Sequence, residues 1–165
     1  MKKLSFNILS VIIIILTSGC YNVSVPIPQE FVDNAKVNNY PILITKVKVS
    51  YPPSSVGGVD LFLSFKNISD KTIKYAVFSV EAFNAVNDPV RCSIRNEKYA
   101  VLKITGAIRP SEFYGLQKGW GNVWYNSTIR YATIKNVSIT FMDNLTLDFD
   151  GRDLQNMMYA KRSIF

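Results

Sequence analysis

From residue 41 onward, β-branched and aromatic residues alternate with polar ones in runs of about five to ten residues, and turn-forming residues separate the runs. Leu43, Thr45, Val47 and Val49 share one face of a first strand that Pro52-Pro53 ends. Val59, Leu61, Leu63 and Phe65 share one face of a second, followed by the turn sequence Asn67-Ile68-Ser69-Asp70. The run 72–84 shifts its apolar phase between Tyr75 and Phe78, which predicts a bulge or a bend between two sheets, and Asn87-Asp88-Pro89 breaks it. Residues 99–104 and 112–124 predict further strands, set apart by Thr105-Gly106 and Arg109-Pro110. In 133–142 the apolar positions are Ile134, Val137, Ile139 and Phe141, and Asp143-Asn144 turns the chain into Leu145, Leu147 and Phe149, which predicts a hairpin.

About seven strands at this spacing, with no helix of core length between them, predict an all-β fold. The expectation is an antiparallel immunoglobulin-like sandwich over 41–150, with a closed barrel as the alternative. In the tail 151–165, residues 152–161 either form one or two turns of helix with Leu154, Met157 and Met158 on one side, or fray. Residues 21–40 are polar, carry Pro26 and Pro28, and sustain neither period. Segment 20–40 therefore reads as a flexible tether, with no capping pattern to support a helical turn near 31–37. Twenty such residues span about 25 Å as a coil and at most about 66 Å extended.

The first twenty residues follow a different logic. Lys2 and Lys3 precede an apolar run dominated by 11–16, then the small residues Thr17-Ser18-Gly19, then Cys20. This is the layout of a secretion signal, and the run, interrupted by Asn7 and Ser10, is shorter than the roughly 20 residues a permanent span requires. Leu16-Thr17-Ser18-Gly19-Cys20 resembles the lipobox of bacterial lipoproteins, although that box places leucine three before the cysteine, where this chain has Thr17. The resemblance implies removal of 1–19, a diacylglyceryl group on the Cys20 thiol, further acylation with fatty chains such as palmitate, and a lipid-anchored place in the cell envelope. Tyr21, rather than an aspartate, implies the outer membrane in an organism that has one. Several acyl chains on one cysteine meet the condition that stable anchoring takes more than one chain.

Composition narrows the chemistry. The 165 residues carry a formal charge of +7, which loss of Lys2 and Lys3 lowers by two, and the remaining basic residues stand singly along the strands rather than in a stripe. Nothing in that spacing favours nucleic acid. Once Cys20 is spent on lipid, Cys92 is the only other cysteine, so packing rather than an internal disulfide stabilises the domain. The absence of histidine excludes Ser-His and Cys-His pairs and the commonest zinc ligand.

The stretch Asn67-Ile68-Ser69-Asp70-Lys71-Thr72-Ile73-Lys74-Tyr75, running into Phe78-Ser79-Val80 and 83–90, looks like a recurrent bacterial envelope domain. In that family a strand of the form N-x-S-x-K-x-I-K-Y leads to an Asn at a turn, and a later Trp precedes the closing hairpin. Residues 105–110 and 124–129 match the later elements. The resemblance implies an immunoglobulin-like or fibronectin-like sandwich, often on lipoproteins, and carries over no catalytic residue.

Sharper readings rest on less. Asp148-Phe149-Asp150-Gly151-Arg152-Asp153 is superficially a calcium loop, but no glutamate follows at loop spacing and Arg152 stands among the acids, so a strand end, a turn and a helix cap are expected. Trp124 is expected in the core, whereas Trp120, Tyr125 and Tyr131, near Gly119 and Gly121, are candidates for contact with a protein or glycan partner. Asn-x-Ser/Thr matches, among them Asn67, Asn126, Asn136 and Asn144, read as strand-edge chemistry. The expected function is that of an envelope lipoprotein whose sandwich binds or assembles, with no catalytic residues, metal or cofactor. The alternative is an envelope hydrolase whose carboxylates, among them Glu81, Glu97 and Glu112, are gathered by the fold.

Overall fold

A computed structural model describes residues 26–115 and 119–159; Cys20 lies outside the described residues. The elements in chain order are α1 (Gln29–Val37), β1 (Ile42–Val49), β2 (Gly58–Asn67), β3 (Ile73–Phe83), β4 (Pro89–Val90), β5 (Tyr99–Ile108), β6 (Phe113–Tyr114), β7 (Gly119–Tyr125), β8 (Tyr131–Phe141), β9 (Thr146–Asp150) and α2 (Gly151–Met157). All strand pairs are antiparallel. In the first sheet β1 lies on one side of β2, with β6 and β7 in succession along the other. In the second, β5 and β4 share one side of β3, β8 takes the other, and β9 lies beyond β8. The nine segments thus fill seven strand positions, three facing four, in an immunoglobulin-like sandwich.

Alternation decides which side chains fill the space between the sheets. Val59, Leu61, Leu63 and Phe65 of β2 are fully buried, as are Phe78 and Val80 of β3 and Val137 and Ile139 of β8. Phe65 and Phe78 meet across the sheets with ring centroids 5.5 Å apart. Bulges correct the simple period in several places, among them β1, β3 and, at Lys135, β8. On β1, Thr45 is an extra residue between Ile44 and Lys46, so Ile44 opposite Phe65 and Val47 opposite Leu63 both face the core, and Thr45 leaves the expected inner face to hydrogen-bond Ser64 at 2.8 Å. On β3 the slip falls between Ile73 and Tyr75, slightly before the expected place.

Other expected boundaries move for physical reasons. Thr105-Gly106 does not separate strands: β5 runs on to Ile108, and at Gly106 the strands come so close that a Cβ would lie 2.7 Å from the Ile73 carbonyl oxygen. The run 112–124 divides into β6 and β7. At the β8–β9 hairpin, Asn144 takes φ 66° and donates its N–H to the Phe141 carbonyl at 3.0 Å, which makes a three-residue loop around Asp143.

The part of the tether covering residues 29–40 is folded, not extended. α1 has no side-chain cap at Pro28, so its stability comes from docking: Val32 and Ala35 are buried, and so is Tyr40 beyond its end. The Tyr40 hydroxyl donates to the Asp153 carboxylate at 3.0 Å and accepts from the Asn156 amide at 3.1 Å, while Phe31 meets Tyr159 edge-on at 5.2 Å. Leu154 and Met157 of α2 are buried. Past α2 the chain runs parallel to β1, where the Tyr159 N–H donates to the Ile44 carbonyl at 2.9 Å. The helices thus cover the side where the edges β1 and β9 would leave the core open.

Asn67 ties one end of the sandwich. It is fully buried, and its amide donates to the carbonyls of Lys71 at 2.9 Å and Ile108 at 3.0 Å, while its Oδ1 accepts from the Ser69 N–H at 3.0 Å and hydroxyl at 2.7 Å. The N-x-S spacing exists because a side chain at the first position can cap the backbone two residues on. Replacing Asn67 by Ala leaves the buried Ile108 carbonyl unpaired and the Ser69 N–H without its acceptor, and is expected to cost about 2 kcal/mol in urea unfolding. Asn67→Asp, which turns an acceptor toward the Ile108 carbonyl, is expected to cost at least as much; a neutral Asn67→Asp would contradict this assignment.

Candidate functional site

The residues singled out for partner contact do not form one platform. Trp120 and Tyr125 stand on β7 in the first sheet, and Tyr131 opens β8 in the second. Trp120 lies opposite Leu61 and Trp124 opposite Val59, so both rings turn inward; Trp124 is 1% exposed and is the core tryptophan, while Trp120 and Tyr125 are half-buried against it. Tyr131 stacks on Phe83 with centroids 5.3 Å apart and donates its hydroxyl to Asn87.

The outer surfaces carry a different pattern, of lysines laid over aromatic rings. On the first sheet Lys46 lies 5.3 Å from the Phe62 ring and Lys66 lies 5.4 Å from Phe113. On the second, Lys103 lies 4.5 Å from Tyr75, Lys98 4.9 Å from Tyr99 and Lys135 5.2 Å from Phe83. In each pair the ammonium itself lies over the ring face, the geometry of a cation–π contact.

Under this pattern sits Glu81, which sequence reasoning weighed only as one of several scattered acids. It is 4% exposed, with Lys135 Nζ 2.9 Å from Oε2 and Lys98 Nζ 3.0 Å from Oε1. The β3 register brings it opposite Tyr99 and Thr133, so each flanking strand supplies one lysine beside it. Burial pushes the Glu81 carboxyl up, but the two ammonium groups outweigh that and hold it below the usual carboxylate range. An anion held this way is a poor proton acceptor near neutrality and a good structural lock. The one sequence signal for it is that Glu81 is the sole acid in the run 72–84.

The other acids stand apart from it. Glu97 pairs with Arg95 at 2.9 Å, and Glu112 accepts the Arg109 N–H at 2.8 Å. In the run likened to a calcium loop, β9 ends at Asp150 and α2 begins at Gly151, and among the described residues no three acids or cysteines gather as metal ligands. Cys92 is buried and free. Burial pushes its thiol up, while N–H groups of Arg95, Tyr125 and Ile94 and the Arg95 charge together pull it below the usual range. A cleft of about 270 Å³ opens between the helices, lined by Phe31, Asn34, Asn38, Tyr40, Gln155 and Asn156, a set of amides and rings without a carboxylate.

No family model, curated protein or solved structure matches this chain.

Because the folded value of Glu81 is depressed, its contribution to stability is complete above the unfolded carboxyl value of about 4.3 and is lost as pH falls through the folded value. Glu81→Gln is therefore expected to flatten the acid limb of a urea-midpoint profile below about pH 5. Lys98→Met combined with Lys135→Met, which strands the carboxylate, is expected to lower the midpoint at pH 7 more than Glu81→Gln does. Equal acid limbs in the wild type and Glu81→Gln would show that the pair of lysines does not hold the anion.

Proposed function

We propose that this chain is a bacterial envelope lipoprotein, anchored through fatty chains on Cys20, whose sandwich serves as a binding or assembly module for a protein or glycan partner. The observation that carries the reading is the junction of two parts. An apolar run ending in Thr17-Ser18-Gly19-Cys20 stops six positions before Pro26, the first described residue of the chain that carries the sandwich. The resemblance of 67–75 and 124–129 to a recurrent envelope domain points the same way.

Folding of α1 onto the sandwich changes what the anchor allows. Six residues reach at most about 20 Å, not the 66 Å of an extended tether, so an anchored head rides within one domain diameter of the bilayer. Exposed apolar residues favour contact with a partner over a self-contained catalyst. Tyr51, Val56, Val86 and Ile94 stand 63%, 71%, 74% and 69% exposed on loops joining β1 to β2, β3 to β4 and β4 to β5. The Arg130 guanidinium lies 4.3 Å over the Tyr51 ring, and the Asn126 amide donates to the Arg91 carbonyl at 3.0 Å, so these loops lie at one end of the sandwich.

Labelling of cells with a palmitate analogue tests the anchor. The native chain is expected to incorporate label and run at the size of 20–165, while Cys20→Ala incorporates none and keeps precursor size. A Cys20→Ala chain that still reaches mature size and stays with the membranes would defeat the proposal.

A further inference from the structure

A sheet edge is a row of unpaired backbone donors and acceptors, and folded proteins shorten, charge, bend or cover such rows. Three of the four edges here are treated in this way. The edge of β1 is met at Ile44 by the chain past α2, through the Tyr159 N–H on the Ile44 carbonyl, and beyond that point is bent by the bulge at Thr45 and carries Lys46 and Lys48. Along β7 the Ser93 N–H bonds to the Tyr125 carbonyl at 2.8 Å, and the Arg95 guanidinium bonds to the Val123 carbonyl. The strand β9 is five residues long and exposes Asp148 and Asp150.

The fourth edge is left open. β5 is ten residues long, and among the described residues its backbone pairs on one side only, with β3. Its inward residues Ala100, Leu102 and Ile104 are buried, and its register with β3 is regular from Tyr99 to Thr105. Outward it presents Tyr99, Val101, Lys103 and Thr105, with Val101 69% and Tyr99 42% exposed, no proline, and a single charge. In an antiparallel strand, every second residue directs its N–H and C=O to the same side, so this segment can accept another strand along its length.

We infer that β5 pairs with β5 of a second copy of this chain, antiparallel, about a two-fold axis at Val101. The sequence of the edge is what names the occupant. With the axis at Val101, the two valines face each other and Tyr99 of each copy lies opposite Lys103 of the other, a cation and a ring in direct cross-strand contact. Lys103 already lies 4.5 Å over Tyr75 of β3, so it is held at the height of a neighbouring ring before the second copy arrives. An axis at Lys103 would oppose two like charges, which disfavours that register. Pairing at Val101 joins the two four-stranded sheets into one of eight strands and removes the open edge, in an isologous contact that closes at two copies. The pairing does not depend on the lipid, so its test does not depend on the anchor.

Sedimentation equilibrium of the native protein, extracted in density-matched detergent at tens of micromolar, provides the test. The native chain is expected to sediment as a dimer with a midpoint of thermal unfolding that rises with concentration, and Val101→Lys, which sets two lysines against each other at the axis, as a folded monomer with the native circular dichroism spectrum and a concentration-independent midpoint. Val86→Lys, at an equally exposed loop position, is expected to remain dimeric. A monomeric native chain, a dimeric Val101→Lys, or loss of the dimer in Val86→Lys would overturn the pairing.

Discussion

Burial of one face of β2 is the interaction on which the rest of the molecule depends. Val59, Leu61, Leu63 and Phe65 are each without solvent exposure, and β2 is the centre of its sheet, paired with β1 along one side and with β6 and β7 along the other. Burying a side chain of this size contributes about 1.5–3 kcal/mol, so four of them together rival the 5–15 kcal/mol by which whole domains are stable. Cys92, buried and free, adds no crosslink, so packing carries the load. Once this face is fixed, the second sheet follows: Phe78 must meet Phe65, and β8 must lie beside β3 to bring Val137 and Ile139 inward.

Such alternation was legible wherever a strand keeps its period. The inner face of β2, that of β8 from Val137 to Phe141, the hairpin at Asp143-Asn144 and the core place of Trp124 could all be read from residue order, because period two is a local property. The failures have local causes of another kind. Thr45 looked like an inner residue because Leu43, Thr45, Val47 and Val49 keep period two straight through the bulge, which only the pairing with β2 exposes. Gly106 looked like a break, whereas its missing Cβ permits a close approach to Ile73. Helix α1 was hidden because no cap announces it; Phe31 and Tyr40 hold it through contacts with the far end of the chain, at Tyr159, Asp153 and Asn156. The lysine clamp on Glu81 was hidden for a similar reason, since Lys98 and Lys135 become its neighbours only through the pairing of β5 and β8 with β3.

Function is written less in any pocket than in how the surface is finished. Polar turns are tied by their own side chains, as at Asn67, and again at Asn126, whose Oδ1 accepts from the Thr128 N–H and hydroxyl. Lysines lie over rings, the buried carboxylate is held by two ammonium groups, and three sheet edges are covered, cut short or charged. Against that background the exposed apolar loop residues and the open β5 edge stand out, and the proposed partner contacts rest on them.

Intact-mass spectrometry of the native protein purified from membranes bears most directly on this picture. The proposal predicts a chain beginning at Cys20 and heavier than residues 20–165 by a diacylglyceryl group and further acyl chains. A chain retaining Met1, or one beginning at Cys20 without fatty chains, would contradict it.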